Sequence, residues 1–326
     1  MTKLSSIMKM RLTPLTEAVI LFLLCRRPEE ESHRFWDNME LQNKLQREII
    51  STLAYADIFD YPLNSEELYR FLITDKSLPF SVFKNALTRI HTNAKRIDTN
   101  EDYFFLKGRD EIVELRKKRG EWSKEKWEIA RETANKLKII PTIKMIGITG
   151  ALAMENCKEN DDIDLLIITS KNSLWLTRLL ILIVSPLLGI KRRKPEEKNI
   201  KDKICFNLFL DEDRLTIKPE NLFLAHEICQ VKLIYDKGGI YEEFMQKNKW
   251  VRNFLPNANK MYNVKCTMYN STKKHFISSC LHIFISLLNI LAFKLQLWYM
   301  KPKMTIEKVN LHQAFFHPSN LQEKII

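Results

Sequence analysis

Two aspartates separated by one residue stand at the start of an apolar run, and this spacing is the strongest chemical signal in the sequence. Asp162 and Asp164 lead into Leu-Leu-Ile-Ile at 165–168. If the segment is a β-strand, residues two apart point to the same face, and the two carboxylates project side by side. Folding alone does not favour two adjacent carboxylates at the start of an apolar strand, because like charges repel and their burial is costly. The pair therefore predicts a site for a divalent cation, Mg²⁺ or Mn²⁺, that carboxylate oxygens bind.

A glycine turn precedes this pair and suggests what the cation would do. Residues 143–149 predict a strand, and Gly150 then opens a short helix predicted over 151–157. A glycine at such a turn lets the backbone approach a phosphate, and the first amides of a helix can donate to it. We therefore expect Gly150, Ala151 and Leu152 to bind phosphate. A phosphate-binding turn followed by a metal-binding strand is what phosphoryl or nucleotidyl transfer requires.

The two features together resemble the signature of the polymerase-β-like nucleotidyltransferase superfamily. Gly150-Ala151, followed about a dozen residues later by Asp162-Ile-Asp-Leu165, matches that pattern, and the resemblance covers roughly residues 140–215. It implies a mixed-sheet core in which Asp162 and Asp164 hold Mg²⁺. It also implies transfer of a nucleoside monophosphate from an NTP substrate to a hydroxyl acceptor on a small molecule, an RNA or a protein.

The sequence departs from the family pattern at two places. Position 151 is Ala where the family often has Ser, so one hydroxyl contact to phosphate is missing. The family's third carboxylate comes from a later strand, for which residues 203–210 are the best candidate. The interior of that strand offers only Asn207 as a polar residue, whereas Asp211 stands at its end. Asp211 as the third catalytic acid would complete the site, and Asn207 in its place would weaken or abolish catalysis.

The composition sets the limits on size and partners. The chain has 326 residues, of which 45% are hydrophobic and only 7 are glycine, and it contains no G-x-G-x-x-G or P-loop motif. This length suffices for two or three small domains. A net charge of +12 favours polyanionic partners, including nucleic acid bound through a basic surface, although solvated surface lysines explain it equally well. The six cysteines form no C-x-x-C pair, which predicts free thiols in the cytoplasm.

Two long apolar stretches require comparison with membrane segments. Residues 174–190 include Arg178 and Pro186 and predict a helix packed on the sheet. Residues 276–300 have two faces, and their pattern predicts an amphipathic core helix, so we do not expect a membrane partner. The polar face comprises Ser278, His282, Ser286, Asn289 and Gln296, and the apolar face comprises Leu281, Phe284, Leu288, Leu291, Leu295 and Trp298.

The order of elements predicts an α+β protein with four segments. These are a partly ordered extension (1–44), a winged-helix-like unit with a linking helix (45–138), a nucleotidyltransferase-like core (139–236) and a helical C-terminal region (237–326). In the second segment, Asn64 to Glu67 forms a capping box. The third helix, predicted from Pro79 to about His91, would present residues suited to DNA, namely Ser81, Lys84, Asn85, Thr88 and Arg89. A helical module for packing or dimerisation fits this segment equally well.

Three functions follow from these patterns, of which a membrane-associated protein held by residues 276–300 is the third and least favoured. The first is a cytoplasmic, Mg²⁺-dependent nucleotidyltransferase. The second is a regulator that binds DNA through the winged helix and uses a catalytically degenerate nucleotidyltransferase domain as a ligand sensor; Ala151 and Asn207 motivate it.

Overall fold

The computed structural model describes residues 29–93, 96–258, 269–270 and 279–316, and its fold is α+β as the sequence predicts. The first part of the chain forms a small unit and a long connecting helix. Its elements are α1 (Glu29–Asp57), β1 (Leu63–Asn64), α2 (Ser65–Arg70), α3 (Phe80–Asn93), β2 (Ile97–Asn100), β3 (Tyr103–Leu106) and α4 (Glu111–Leu137).

The remaining elements build a larger sheet with helices on both faces. They are β4 (Ile143–Ile148), α5 (Gly150–Ala153), β5 (Ile163–Thr169), α6 (Leu174–Leu187), β6 (Ile204–Asp211), α7 (Leu222–Gln230), β7 (Lys232–Lys237), α8 (Ile240–Lys247), β8 (Tyr269–Asn270), α9 (Ser279–Met300), β9 (Lys308–Val309) and β10 (Gln313–Phe315). Short 3₁₀ turns follow α8 and α9 at Lys249–Asn253 and Lys301–Lys303.

The first unit is an antiparallel three-stranded sheet, in the order β1-β3-β2, packed against α1, α2 and α3. The predicted capping box is confirmed, since the Asn64 side chain accepts from the Glu67 amide at 2.9 Å and the Glu67 carboxylate accepts from the Asn64 amide at 3.0 Å. The predicted boundary at residue 44 is wrong, because α1 runs unbroken from Glu29 through that point. Residues 1–28 of the predicted extension lie outside the described residues.

The larger sheet has seven strands in the order β8-β7-β4-β5-β6-β10-β9. Strand β5 runs antiparallel to β4 and parallel to β6, and β4 runs antiparallel to β7. The sheet is covered on both faces, by α4 and α6 on one and by α7 and α8 on the other. This is why β5 is apolar on both sides, as strands buried on both faces are.

The C-terminal region contributes strands as well as a helix. Strand β10 pairs antiparallel with β6, and β9 pairs with β10 at the edge of the sheet. The sequence interpretation of 237–326 as a helical region omitted both strands, which are only two and three residues long. The polypeptide after α9 therefore returns to the core and completes one side of the sheet.

Helix α9 is oriented opposite to the prediction. Asn289 and Gln296, on the predicted polar face, are buried against α6, whereas Phe284, Leu291 and Trp298, on the predicted core face, are more than half exposed. The Asn289 side chain accepts from the Trp175 and Leu176 amides at 2.7 and 3.1 Å. The amides at the start of α6 have no hydrogen-bond acceptors within their own helix, and the polar face of α9 supplies an acceptor. The core-helix interpretation is wrong for these residues, whereas Ser278, also assigned to the polar face, lies outside the described residues.

The small unit is attached to the larger sheet by buried polar contacts. Fully buried Asn257 accepts from the Ser77 hydroxyl and the Leu78 amide at 3.0 and 3.2 Å, and it donates to the Tyr69 carbonyl at 3.1 Å. Buried Arg119 of α4 donates to the Phe59 carbonyl at 2.9 Å. These contacts hold α1 over the end of the sheet where Asp162 and Asp164 lie.

Candidate functional site

The two aspartates lie at the start of β5, and their positions follow from the alternation of that strand. Ile163, Leu165 and Ile167 point into the core under α4 and α6, so Asp162 and Asp164 point to the opposite face. The predicted juxtaposition of their carboxylates is present: donor atoms of Asp162, Asp164 and Cys205 all lie within 4.8 Å of one another. Carboxylate oxygens at this separation can share a divalent cation.

A buried lysine fixes the loop that leads into this strand. The ammonium group of Lys126 on α4 donates to the carbonyls of Glu159 and Asp161 at 3.1 and 2.8 Å and to the Asp202 carboxylate at 2.6 Å. Its side chain is 1% exposed, so these three oxygens satisfy its buried charge. The loop that leads to Asp162 is therefore held by a hydrogen bond to its neighbour Asp161 and by the Lys126–Asp202 ion pair.

Gly150 packs directly against the second aspartate. Its φ is +64°, and a Cβ at this position would lie 2.7 Å from the Asp164 Oδ2 atom. Both the left-handed backbone and the missing side chain are thus required, which only glycine supplies without strain. The Thr149 amide donates to the Asp164 carbonyl at 3.1 Å and holds the turn beside β5. The predicted helix 151–157 is reduced to the single turn α5.

The residue beside Asp164 on β6 is a cysteine. Cys205 is its register partner. A bulge then places Leu166 opposite Leu208. Asn207, the residue before Leu208, lines a cavity. Burial, followed by the charges of Asp164 and Asp162, raises the pKa of the Cys205 thiol. A protonated thiol is a poor ligand for Mg²⁺, which prefers oxygen. Strand β6 therefore supplies no third carboxylate at this position.

Asp211 lies at the other end of the same strand. Asp211 lies opposite Thr169, whereas Cys205, six residues earlier on β6, lies opposite Asp164. About 20 Å of strand therefore separates Asp211 from the Asp162–Asp164 pair. Its buried carboxylate accepts from the Asn172 and Asp213 amides at 2.7 and 3.1 Å. The expectation that Asp211 reaches the site is therefore wrong. Strand β6 runs parallel to β5, so its last residue lies at the end of the sheet opposite to Asp162 and Asp164.

The two aspartates differ in their electrostatic surroundings. The Arg193 Nη1 atom donates to the Asp162 Oδ2 atom at 2.8 Å and forms an ion pair with it. Burial, and then the neighbouring Asp162, raises the pKa of Asp164 to about 7. Arg193 belongs to the basic segment Lys191-Arg-Arg-Lys194. One carboxylate therefore has a cationic partner, whereas burial raises the pKa of the other.

A cavity of about 840 Å³ adjoins the pair. Its polar lining includes Thr149, Asp164, Arg193, Asn207 and Glu227. The Thr149 hydroxyl is buried and finds no hydrogen-bond partner among the described residues, which leaves it available to a ligand. The apolar lining includes Tyr55 of α1, Phe59 of the turn that follows it, Leu166 of β5, Phe223 and Leu224 of α7, Val309 of β9 and Phe315 of β10. The small unit, the sheet and the C-terminal strands thus enclose one cavity.

Glu227 is a site residue that the sequence interpretation missed. It lies on α7, faces the cavity, and forms no hydrogen bond or ion pair with the described residues. Burial raises its pKa to about 7, and its charge in turn raises the pKa of Asp164. The signal was an isolated carboxylate in the apolar helix Leu222–Gln230, next to His226. That histidine stacks on Tyr55 with ring centroids 4.0 Å apart, and burial lowers its pKa to about 3.

Comparison with known proteins adds no family. No protein-family model matches the chain, and no curated protein matches it significantly. The function is therefore argued from the residues and the geometry of this site.

Proposed function

We propose that the protein is a Mg²⁺-dependent nucleotidyltransferase that moves a nucleoside monophosphate from an NTP to a hydroxyl acceptor. The observation that supports this best is the Asp162–Asp164 pair, held against the Gly150 turn at the edge of a large cavity. The donor set fits the metal, because Mg²⁺ is commonly held by one or two carboxylates together with substrate phosphates. Mn²⁺ suits the same oxygens.

Each residue of the site has a role in this proposal. Asp162 and Asp164 hold the metal, and the backbone at Gly150, Ala151 and Leu152 binds phosphate, as the family resemblance implies. A metal held there would supply charge neutralisation for the phosphates. Arg193, beside Asp162 at the cavity wall, would donate to a bound phosphate.

Glu227 replaces the missing strand carboxylate as the proton acceptor. Its pKa of about 7 matches a general base that works near neutral pH. Its side chain shares the cavity with Asp164, where the attacking hydroxyl must lie. The apolar wall formed by residues such as Phe223 and Leu224 favours a small-molecule acceptor with an apolar portion. The buried free thiols Cys157, Cys205 and Cys229 fit a reducing cytoplasm.

Titration calorimetry with non-hydrolysable ATP and GTP analogues tests the metal site. We expect binding in Mg²⁺, loss of binding in EDTA, and at least a tenfold weaker affinity in Asp164→Asn. The exposed turn residue Asp102 offers a control, and Asp102→Asn should bind like the wild type. Equal affinity in Asp164→Asn, or binding that persists in EDTA, would contradict the proposal.

Glu227→Gln separates binding from chemistry. The variant should retain Mg²⁺-dependent nucleotide binding and lose about 10² to 10⁴-fold in transfer rate, which is the range for removal of a general base. Pyrophosphate release measured with a set of small hydroxyl acceptors provides the assay. An undiminished rate would remove Glu227 from the mechanism while leaving the metal site intact.

The second candidate function is a DNA-binding regulator with an inactive core. Cys205 at the third ligand position favours it, and so does the order of elements in the first unit, which matches a winged helix. Lys84, Asn85 and Arg89 on α3 are exposed. Lys84→Ala with Arg89→Ala should then abolish a salt-dependent affinity for duplex DNA that Asp164→Asn leaves unchanged. An absence of DNA binding by the wild type at low salt would exclude this function.

A further inference from the structure

Helix α9 turns the polar side chains of Asn289 and Gln296 toward the protein and leaves most of its large apolar side chains exposed. Asn289 accepts from the first amides of α6, and the Gln296 amide donates to the Trp175 carbonyl at 2.8 Å. Both residues are more than nine-tenths buried. Helix α9 is thus fixed along the surface of α6, which itself packs on the sheet. It cannot leave this position to cross a bilayer without breaking these bonds.

The opposite side of α9 forms a continuous apolar surface, which we call the outer face. It consists of Ile283, Phe284, Leu287, Leu291, Leu295 and Trp298, each more than half exposed. Their spacing forms one stripe along the helix. Ile183 and Leu187 of α6 are also exposed. The segment His282–Lys303 has the length and composition of a membrane helix, yet only 17% of its apolar window is buried in the protein. A patch of this kind marks an interaction site.

Charge indicates what covers the outer face. From the start of α9 to Ile306 the sequence contains no Asp or Glu. Lys294, Lys301 and Lys303 are exposed on or beside the helix. Trp298 and Tyr299 stand at its C-terminal end, next to two of these lysines. Indole and phenol rings together with lysines are the side chains that favour the interface of a bilayer.

We propose that the outer face of α9 binds the surface of an anionic lipid bilayer, with the helix lying in the plane of the interface. An amphipathic helix with lysines beside its apolar face binds in this way, through buried apolar area and attraction to anionic headgroups. Helix α9 differs from an ordinary amphipathic anchor only in that its polar side is already bound to the protein.

Two other occupants fit the charges less well. A second copy packed on the same face would double the number of lysines there, since each copy contributes Lys294, Lys301 and Lys303. Residues 1–28 include an apolar run, but they carry five Lys or Arg and the single acid Glu17. Like charges oppose both arrangements, whereas anionic lipid complements the basic surface.

Vesicle flotation with the full chain tests the proposal. Wild-type protein should float with vesicles of phosphatidylcholine and phosphatidylglycerol, bind pure phosphatidylcholine at least tenfold more weakly, and be released at high salt. Leu291→Glu with Leu295→Glu should reduce the bound fraction at least tenfold. Val82→Glu, at an exposed apolar residue of the small unit, should float like the wild type. Near-ultraviolet circular dichroism verifies that each variant is folded.

Three outcomes would overturn the proposal. The first is a wild type that remains unbound to anionic vesicles. The second is flotation that Leu291→Glu and Leu295→Glu leave unchanged. The third is a vesicle-free dimer, detected by light scattering, that these substitutions convert to monomer, since it would assign the outer face to a second copy. Nucleotide binding plays no part in these readouts, so the proposal stands or fails independently of the enzymatic function.

Discussion

The contact between Gly150 and Asp164 makes one glycine a determinant of the metal site. In Gly150→Ala, the new Cβ would meet Asp164 Oδ2 at 2.7 Å on a backbone with φ of +64°. We expect a loss of about 1–3 kcal/mol in the free energy of unfolding, because L-residues are strained in this region. We also expect Mg²⁺-dependent nucleotide binding to be lost, because Asp164 must move. Urea denaturation and titration calorimetry measure the two effects.

Gly120 supplies the matched control for this substitution. It lies inside α4, and a Cβ there would meet nothing within 4 Å. Gly120→Ala should therefore stabilise the protein by about 1 kcal/mol, the difference between alanine and glycine in a helix, and leave nucleotide binding unchanged. If Gly150→Ala behaved like Gly120→Ala, the close contact with Asp164 would have no functional importance.

Glu227 should make stability depend on pH. Burial raises its pKa from 4.5 to about 7, so the native state binds a proton more tightly than the unfolded chain. Its ionisation destabilises the native state progressively as pH rises from about 4.5 to 7. Glu227→Gln should thus be more stable than the wild type at pH 8, by up to about 3 kcal/mol, with no difference below pH 4.5. Urea denaturation across this range provides the test, and parallel profiles would contradict it.

At the residue level, local spacing predicted only part of the site. Asp162 and Asp164 could be paired from sequence, because alternation along a strand depends on neighbours alone. The exclusion of Asp211 required the register between β5 and β6, which places it opposite Thr169. Glu227 comes from a helix outside the motif, and its approach to the site depends on how α7 packs on the sheet. Neither relation is encoded in local periodicity.

At the level of elements, Asn289 connects two helices. Its side chain accepts from the second and third amides of α6, those of Trp175 and Leu176, which have no acceptor within the helix. Asn289→Ala should lower the free energy of unfolding by about 1–2 kcal/mol, the range for loss of a helix cap. Ser286→Ala is the control, because that hydroxyl donates only to the His282 carbonyl of its own helix. Equal stability of the two variants would show that Asn289 does not anchor α9.

The same helix shows what periodicity determines and what it leaves undetermined. The spacing of residues 276–300 separates a polar face from an apolar face, but it does not say which face meets the protein. The preference for apolar burial predicted the wrong side for α9. The deciding factor was the unsatisfied start of α6, a need for hydrogen bonds that lies a hundred residues away in the sequence.

At the level of the whole molecule, Asn257 couples the small unit to the main sheet. Its buried side chain serves two donors and one acceptor from residues 69–78. Asn257→Ala leaves the Leu78 amide and the Tyr69 carbonyl without these partners, and we expect a loss of about 2–3 kcal/mol. Unfolding followed by both tryptophan fluorescence and circular dichroism should show whether the two parts separate. Wild-type stability in the variant would mean that other contacts hold the unit in place.

The overall class and the order of elements followed from the sequence, whereas the assembly of the sheet did not. Strands β4, β5 and β6 coincide with predicted segments, because each is a long apolar run. The short strands β9 and β10 give no such signal, and β10 joins β6 through backbone hydrogen bonds that any side chain allows. The cavity wall that β9 and β10 form could therefore be identified only from the structure.

The pairing of β10 with β6 also has a consequence for how fast the protein folds. The two strands lie about 100 residues apart in the sequence, and such pairings form slowly because a long loop must close first. Strands β4 and β5 are close in sequence and can pair early. Before β10 has paired with β6, the edge of β6 exposes unpaired backbone groups that can form hydrogen bonds with other chains. Aggregation during refolding should therefore compete with the docking of β10, and the yield should fall as protein concentration rises.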